Sequence, residues 1–170
     1  YTMTGKSVAN VGTADIGGKG EGTLVLASAN AAFNATNLNL GRDGGSHGTL
    51  DLQDGQVNAT TVNVGLQGSG VFKQTGGQSD ISGNTDADNK GLVLALKNGS
   101  EGLYDFRGGH LVASSEIIAA NSTATFKASA GSNVTTTATI GDGPDSNGTY
   151  KLTGGAWNFH TTLIPNSPKK

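Results

Sequence analysis

A chain of 170 residues with a formal net charge of −2, 14% charged residues and 34% hydrophobic residues is one domain's worth of sequence, without an acidic or basic tail. So small a charge leaves no field to steer nucleic acid, and the absence of cysteine excludes disulfides, thiolate zinc sites and catalytic thiols. The longest apolar run of note, residues 92–96, is far too short to span a bilayer, so no membrane insertion is expected.

The chain starts at Tyr1 rather than methionine and shows no signal peptide, which reads as a processed or excised mature segment and favours secretion. Residues 1–8 read as extended. From there one unit recurs six times: an alternating apolar strand, a glycine, a short polar loop, another glycine, a second alternating strand and a Gly-Gly-type turn. The clearest copy is Asn37-Leu38-Asn39-Leu40-Gly41, a loop, Gly48-Thr49-Leu50-Asp51-Leu52, then Asp54-Gly55. The residues opening the second strand are Gly22, Gly48, Gly70, Gly102, Ala124 and Gly148, at intervals of 26, 22, 32, 22 and 24 residues. A period of about two dozen residues is too short for helical hairpins and suits two or three short strands per turn. The 32-residue step holds a polar insertion over residues 82–91, predicted to project as a surface loop. Residues 159–170 again read as extended. The expectation is an all-β chain, residues 1–170 forming a single domain, folded as a parallel β-solenoid (β-helix) of about six coils.

Superposing the units produces columns. Ile16, Leu40, Val64, Leu94, Ile118 and Ile140 share one position, and all are aliphatic, as an inward site on a stacked parallel sheet requires. Leu24, Leu50, Phe72, Tyr104, Phe126 and Tyr150 form a second inward column, followed two residues on by Leu26, Leu52, Gln74, Phe106, Ala128 and Leu152. Val57, Leu111, Trp157 and Phe159 suggest a third, less regular face. Between the inward columns lie Val25, Asp51, Lys73, Asp105, Lys127 and Lys151, neighbours about 4.8 Å apart in a parallel stack. Asp beside Lys favours this register over a slipped one and predicts an outward ladder whose charges already have partners.

The unit [Val/Leu]-x-[Val/Leu/Ile]-Gly, loop, Gly-x-[Leu/Phe/Tyr]-x-Leu, Gly-Gly resembles the repeats of bacterial autotransporter passenger domains and related secreted surface proteins, over essentially the whole chain. The resemblance implies a right-handed parallel β-helix, exported, working in adhesion or surface structure. Neither an outer-membrane barrel nor a sorting helix accompanies it here, so the resemblance is to the exported part alone.

Signals for chemistry are sparse. Asn84-Thr85-Asp86 and Gly109-His110 match fragments of polygalacturonase signatures, but the paired aspartates and the Arg-x-Lys element are missing, and glycoside hydrolysis needs two opposed carboxylates. Asn84, Asp86 and Asp88 alternate with oxygen ligands suited to calcium, without the glutamate of a helix–loop–helix site, so calcium is a minority expectation and no other cofactor is expected. His47, His110 and His160 fall at unrelated column positions. Asn34, Asn58, Asn98, Asn121, Asn133 and Asn147 each begin an Asn-x-Ser/Thr acceptor for glycosylation.

Bare strand edges at the ends of a solenoid template further pairing. The functional expectation is therefore a non-enzymatic extracellular or cell-surface structural protein that stacks end to end with itself. Cohesion would run through Tyr1, Met3, Val8, Phe159, Leu163 and Ile164. The alternatives are an adhesin or carbohydrate-binding passenger segment with glycan or cell-surface partners, and, third, a polysaccharide-degrading β-helix enzyme.

Overall fold

The structure, a computed structural model, describes residues 1–83, 91–159 and 163–165. Strands β1 (Thr2–Met3) and β2 (Val8–Ile16) open the stack. Four coils follow: β3 (Glu21–Leu26) with β4 (Ala32–Leu40), β5 (His47–Leu52) with β6 (Gln56–Val64), then β7 (Ser69–Gln74) with β8 (Gln78–Ile81) and β9 (Leu92–Leu94), then β10 (Glu101–Phe106) with β11 (His110–Ile118). The chain finishes through β12 (Thr123–Ala128), β13 (Ser132–Ile140), β14 (Asn147–Leu152), β15 (Ala156–Phe159) and β16 (Leu163–Pro165). Among the described residues there is no helix.

Two parallel sheets run the length of the stack. One has the order β1-β3-β5-β7-β10-β12-β14; the other follows β15-β13-β11-β8-β6-β4-β2, with β9 between β6 and β11 and β16 beside β13. The result is a β-solenoid of about six turns. The nine-residue strands pair over their first and last four residues and skip a central one, as where Ala35↔Ala59 is followed by Asn37↔Thr61. Thr36, Thr60, Ser114 and Thr136 therefore stand at a corner, and each coil has three straight segments.

The predicted columns are the observed ones. Ile16↔Leu40↔Val64↔Leu94↔Ile118↔Ile140 is continuous, and its four central members are fully buried. The ring column stacks Phe72 on Tyr104 at 4.3 Å, Tyr104 on Phe126 at 5.0 Å and Phe126 on Tyr150 at 4.6 Å, the last pair tilted by only 10°. Repeated stacking geometry of this kind adds to the burial of large apolar rings. The third face is regular after all: Phe33, Val57, Ser79, Leu111, Asn133 and Trp157 share one column, while Phe159 belongs to the next, with Ala59, Ile81 and Ala113.

The insertion enters at the corner between β8 and β9. Backbone bonds from Ser82 to Ala59 (3.0 Å) and Gly83 to Thr60 (2.8 Å) seat its start, and Val62 donates to Gly91 (2.9 Å) at its end. Both flanks keep the register of the coils on either side, so extra chain is spliced in at a bend without shifting a column. Residues 84–90 lie outside the described residues.

Two expectations need correction. Met3 is not free for assembly: β1 pairs with β3, and Met3 sits beside Leu26 at 1% exposure, inside the chain's own core. The outward charge ladder is incomplete. Lys73 meets Asp51 at 3.5 Å and Lys127 meets Asp105 at 3.3 Å, but Asp105 also takes Arg107 from the following turn at 2.6 Å. Among the described residues Lys151 has no ion-pair partner, because its lateral neighbour in register is Lys127.

The residue that closes the strand before each second-strand loop has a left-handed backbone, held by glycine in four coils and by Ala95 (φ +53°) and Ala119 (φ +64°) in two. Gly65 has φ +81°, and a Cβ there would be driven into the carbonyl of Glu101. Gly99 has almost the same φ, +80°, with open space around it. Gly65→Ala should therefore lower the stability by more than about 2 kcal/mol, since the left-handed backbone alone costs about 1–2 kcal/mol for an L side chain. Gly99→Ala should cost about 1 kcal/mol, the backbone share without the clash. Denaturant midpoints of the two variants check this; equal losses would show that close approach between coils contributes nothing.

Candidate functional site

Among the described strands, β1 pairs only with β3 and β2 only with β4, while at the other end β14 pairs only with β12 and β15 and β16 only with β13. Each end therefore carries a row of backbone donors and acceptors without a strand partner. Column positions show what each end presents. Val25 N donates to Tyr1 O at 2.9 Å, which places Tyr1 beside Leu24, in the ring column that ends at Tyr150. Met3 lies in the column ending at Leu152, Ala9 in that of Trp157, Asn10 in that of Asn158, and Val11 in that of Phe159. Of the five exposed large hydrophobic residues among those described, four are at the ends: Tyr1 (78%), Val8 (61%), Val11 (39%) and Leu152 (42%). Phe159 is half-buried, its ring 6.0 Å from that of Tyr150. The backbone of Leu163 and Ile164 is registered with Ala138 and Thr139.

Two asparagine ladders climb to the N-terminal end. Asn58 donates to Asn34 and Asn34 to Asn10, each at 2.8 Å, and on another face Asn63 donates to Asn39 and Asn39 to Asp15, again at 2.8 Å. Arg42 closes the second ladder on Asp15 at 2.7 Å. In each step the amide of one coil donates to the carbonyl or carboxylate one coil nearer the N-terminus. The first ladder thus ends at Asn10, whose own amide hydrogens point out of the stack's last step.

The interior holds a polar network that patterning alone hides. Gln74 takes a place in an otherwise apolar column, and its Oε1 accepts from Tyr104 Oη at 2.6 Å and Ser79 Oγ at 3.1 Å, while Nε2 donates to the His110 carbonyl at 3.0 Å. Glu116 stands fully buried in the column Leu38, Val62, Leu92, Glu116, Ala138. Asn133 Nδ2 donates to its Oε1 at 2.7 Å and Tyr150 Oη to its Oε2 at 3.1 Å, one partner from each of the other two faces. Burial pushes the Glu116 carboxyl up to about 7, against the downward pull of those two bonds. Sealed from solvent, this carboxyl can reach no substrate. It couples folding to pH instead.

The glycosylation asparagines divide. Asn133, 2% exposed and donating to Glu116 and Tyr150, is corrected to a core residue whose nitrogen a glycan cannot reach in the folded stack. Asn34 and Asn58 use their amide nitrogens in the ladder, and Asn121 donates to Leu96 O at 2.8 Å. Asn98 and Asn147 are exposed. The calcium candidates Asn84, Asp86 and Asp88 lie outside the described residues, as does His160. His47 and His110 lie in different sheets. Among the described residues no three His, Asp or Glu side chains gather as a metal site. No family model, no curated protein and no solved structure matches the chain.

Because the folded state raises the Glu116 pKa above its ordinary value of 4.5, it favours the protonated form. This contribution is complete below about pH 4.5 and is lost as pH rises through about 7. Its full extent is about 3 kcal/mol. The unfolding midpoint should fall between pH 5 and pH 8, and Glu116→Gln should flatten that slope. Asp105 works in the opposite sense: desolvation pushes its carboxyl up, but Arg107 and Lys127 outweigh this and hold it below the usual range, so its contribution is lost on stronger acidification.

Proposed function

We propose that the chain is a non-enzymatic structural subunit of an extracellular or cell-surface filament, its copies stacking end to end as further coils of one solenoid. The observation that carries this reading is column matching between the two ends. A second copy placed over β14 and β15 would continue the ring column from Tyr150 to Tyr1, set Ala9 on Trp157, and bring Val11 to Phe159. It would also give the first asparagine ladder its next acceptor, since Asn10 then faces Asn158. Apolar residues concentrated at exposed strand edges are what natural sheets otherwise avoid. The resemblance to exported passenger repeats and the lack of cysteine support a location outside the cell.

A carbohydrate-binding or adhesive reading has one observation in its favour, a cationic cleft on the side of the stack formed by Arg107, Lys127 and Lys151. For an enzyme, the partly exposed carboxylates of Asp15 and Asp43 are both taken by Arg42, and the tripeptide Asn84-Thr85-Asp86 supplies no support because it lies outside the described residues.

Concentrated protein should form unbranched rods by electron microscopy, and light scattering should show growth in whole-subunit steps. Val11→Lys at one end or Leu152→Lys at the other should each abolish growth, whereas Val112→Lys, equally exposed at 43% but on the side, should leave it intact. A chain that stays monomeric at high concentration, or that assembles normally with Val11→Lys, would refute the proposal.

A further inference from the structure

The outward column of the first sheet changes character along its length. It runs Val25, Asp51, Lys73, Asp105, Lys127, Lys151, so acid and base alternate until the last two places, where Lys127 and Lys151 are lateral neighbours. Like charges at directly opposed positions cost stability rather than add to it. Arg107 arrives from the turn after β10 and lies two residues beyond Asp105, which accepts from its Nε at 2.9 Å and its Nη2 at 2.6 Å. One carboxylate is thereby shared between Arg107 and Lys127, and three cations, with Lys151, line one cleft of about 270 Å³. Ser129 and Thr153 add hydroxyl groups to the wall. The chain as a whole is net negative, so this excess of positive charge is local.

We infer that the cleft between Asp105, Arg107, Lys127 and Lys151 binds an acidic polysaccharide, its sulfate or carboxylate groups lying along the coil axis against Lys127 and Lys151. The inter-coil spacing of about 4.8 Å sets successive cations along a straight line. Guanidinium and ammonium donors suit oxyanions, and the hydroxyl groups of Ser129 and Thr153 suit sugar hydroxyls. Single-stranded nucleic acid fits less well, because binding of that class relies on aromatic platforms for its bases and none lines the cleft. End-to-end stacking would not neutralise the site: the residue that would follow Lys151 in this column is Thr2, which carries no charge. The inference therefore stands independently of filament formation.

Isothermal titration of the full chain with dextran sulfate at low salt tests it. Binding is expected, neutral dextran of equal length should show none, and Lys127→Gln/Lys151→Gln should weaken it by about tenfold, roughly the worth of two exposed charge-assisted contacts. Lys6→Gln/Lys19→Gln, two cations elsewhere on the surface, should change affinity less than twofold, and circular dichroism should show all variants folded. Absence of binding, equal weakening by both double variants, or tighter binding of a single-stranded oligonucleotide than of dextran sulfate would each overturn the assignment.

Discussion

Everything in this molecule depends on one constraint: each strand hydrogen-bonds in parallel and in register to its equivalent in the coils before and after. Parallel pairing makes identical positions direct neighbours, about 4.8 Å apart. A residue is therefore selected against its own column as much as against its surroundings. Rings stack on rings from Phe72 to Tyr150, amides chain to amides from Asn58 to Asn10, and acids sit beside bases where the column is charged. Glycine at Gly65 follows from the same rule, because the coil above brings a carbonyl to the place a Cβ would fill.

The columns also set the terms on which polar groups enter the interior. A buried polar side chain needs partners, and for Gln74 and Glu116 they come from other columns rather than along their own. Gln74 is answered by Tyr104 and Ser79, and Glu116 by Asn133 and Tyr150. The Glu116 cluster joins three faces and the Gln74 cluster two, and a slip of one coil would orphan all of their members. The carboxyl of Glu116 has an energetic cost when charged, and the fold recovers it by favouring the proton.

How legible each feature was in the sequence depended on whether it repeats. The register, the inward columns and the position of the insertion were all readable, because in every coil the strand-closing residue is followed five or seven residues later by the one that opens the next alternating strand. Features made by a single residue were not. Met3 belongs to a two-residue strand with no repeat signature of its own, so its burial against Leu26 emerges only from the pairing. Arg107 comes from a turn outside the charged column yet takes half of Asp105. Asn34 and Asn58 satisfy a glycosylation pattern and a ladder with the same amides, and sequence alone cannot separate the two. Glu116 sits among leucine and valine equivalents, and nothing in its own segment announces that Asn133 and Tyr150 will meet it.

The division between ends and sides organises the functional reading. The sides are largely self-satisfied, apart from the cationic cleft near Lys151, while the ends expose backbone edges and apolar residues in matching columns. All of this rests on an unbroken stack that crosses the insertion without a shift. Pulsed electron resonance between nitroxide labels at Val25→Cys and Lys151→Cys tests that claim directly, since the chain has no cysteine of its own. The two positions occupy the same outward column five coils apart, so the account predicts one narrow distance of roughly 24 Å, set by the inter-coil spacing. A broad distribution, or a distance clearly longer, would show that the coils on either side of the insertion do not form one continuous column.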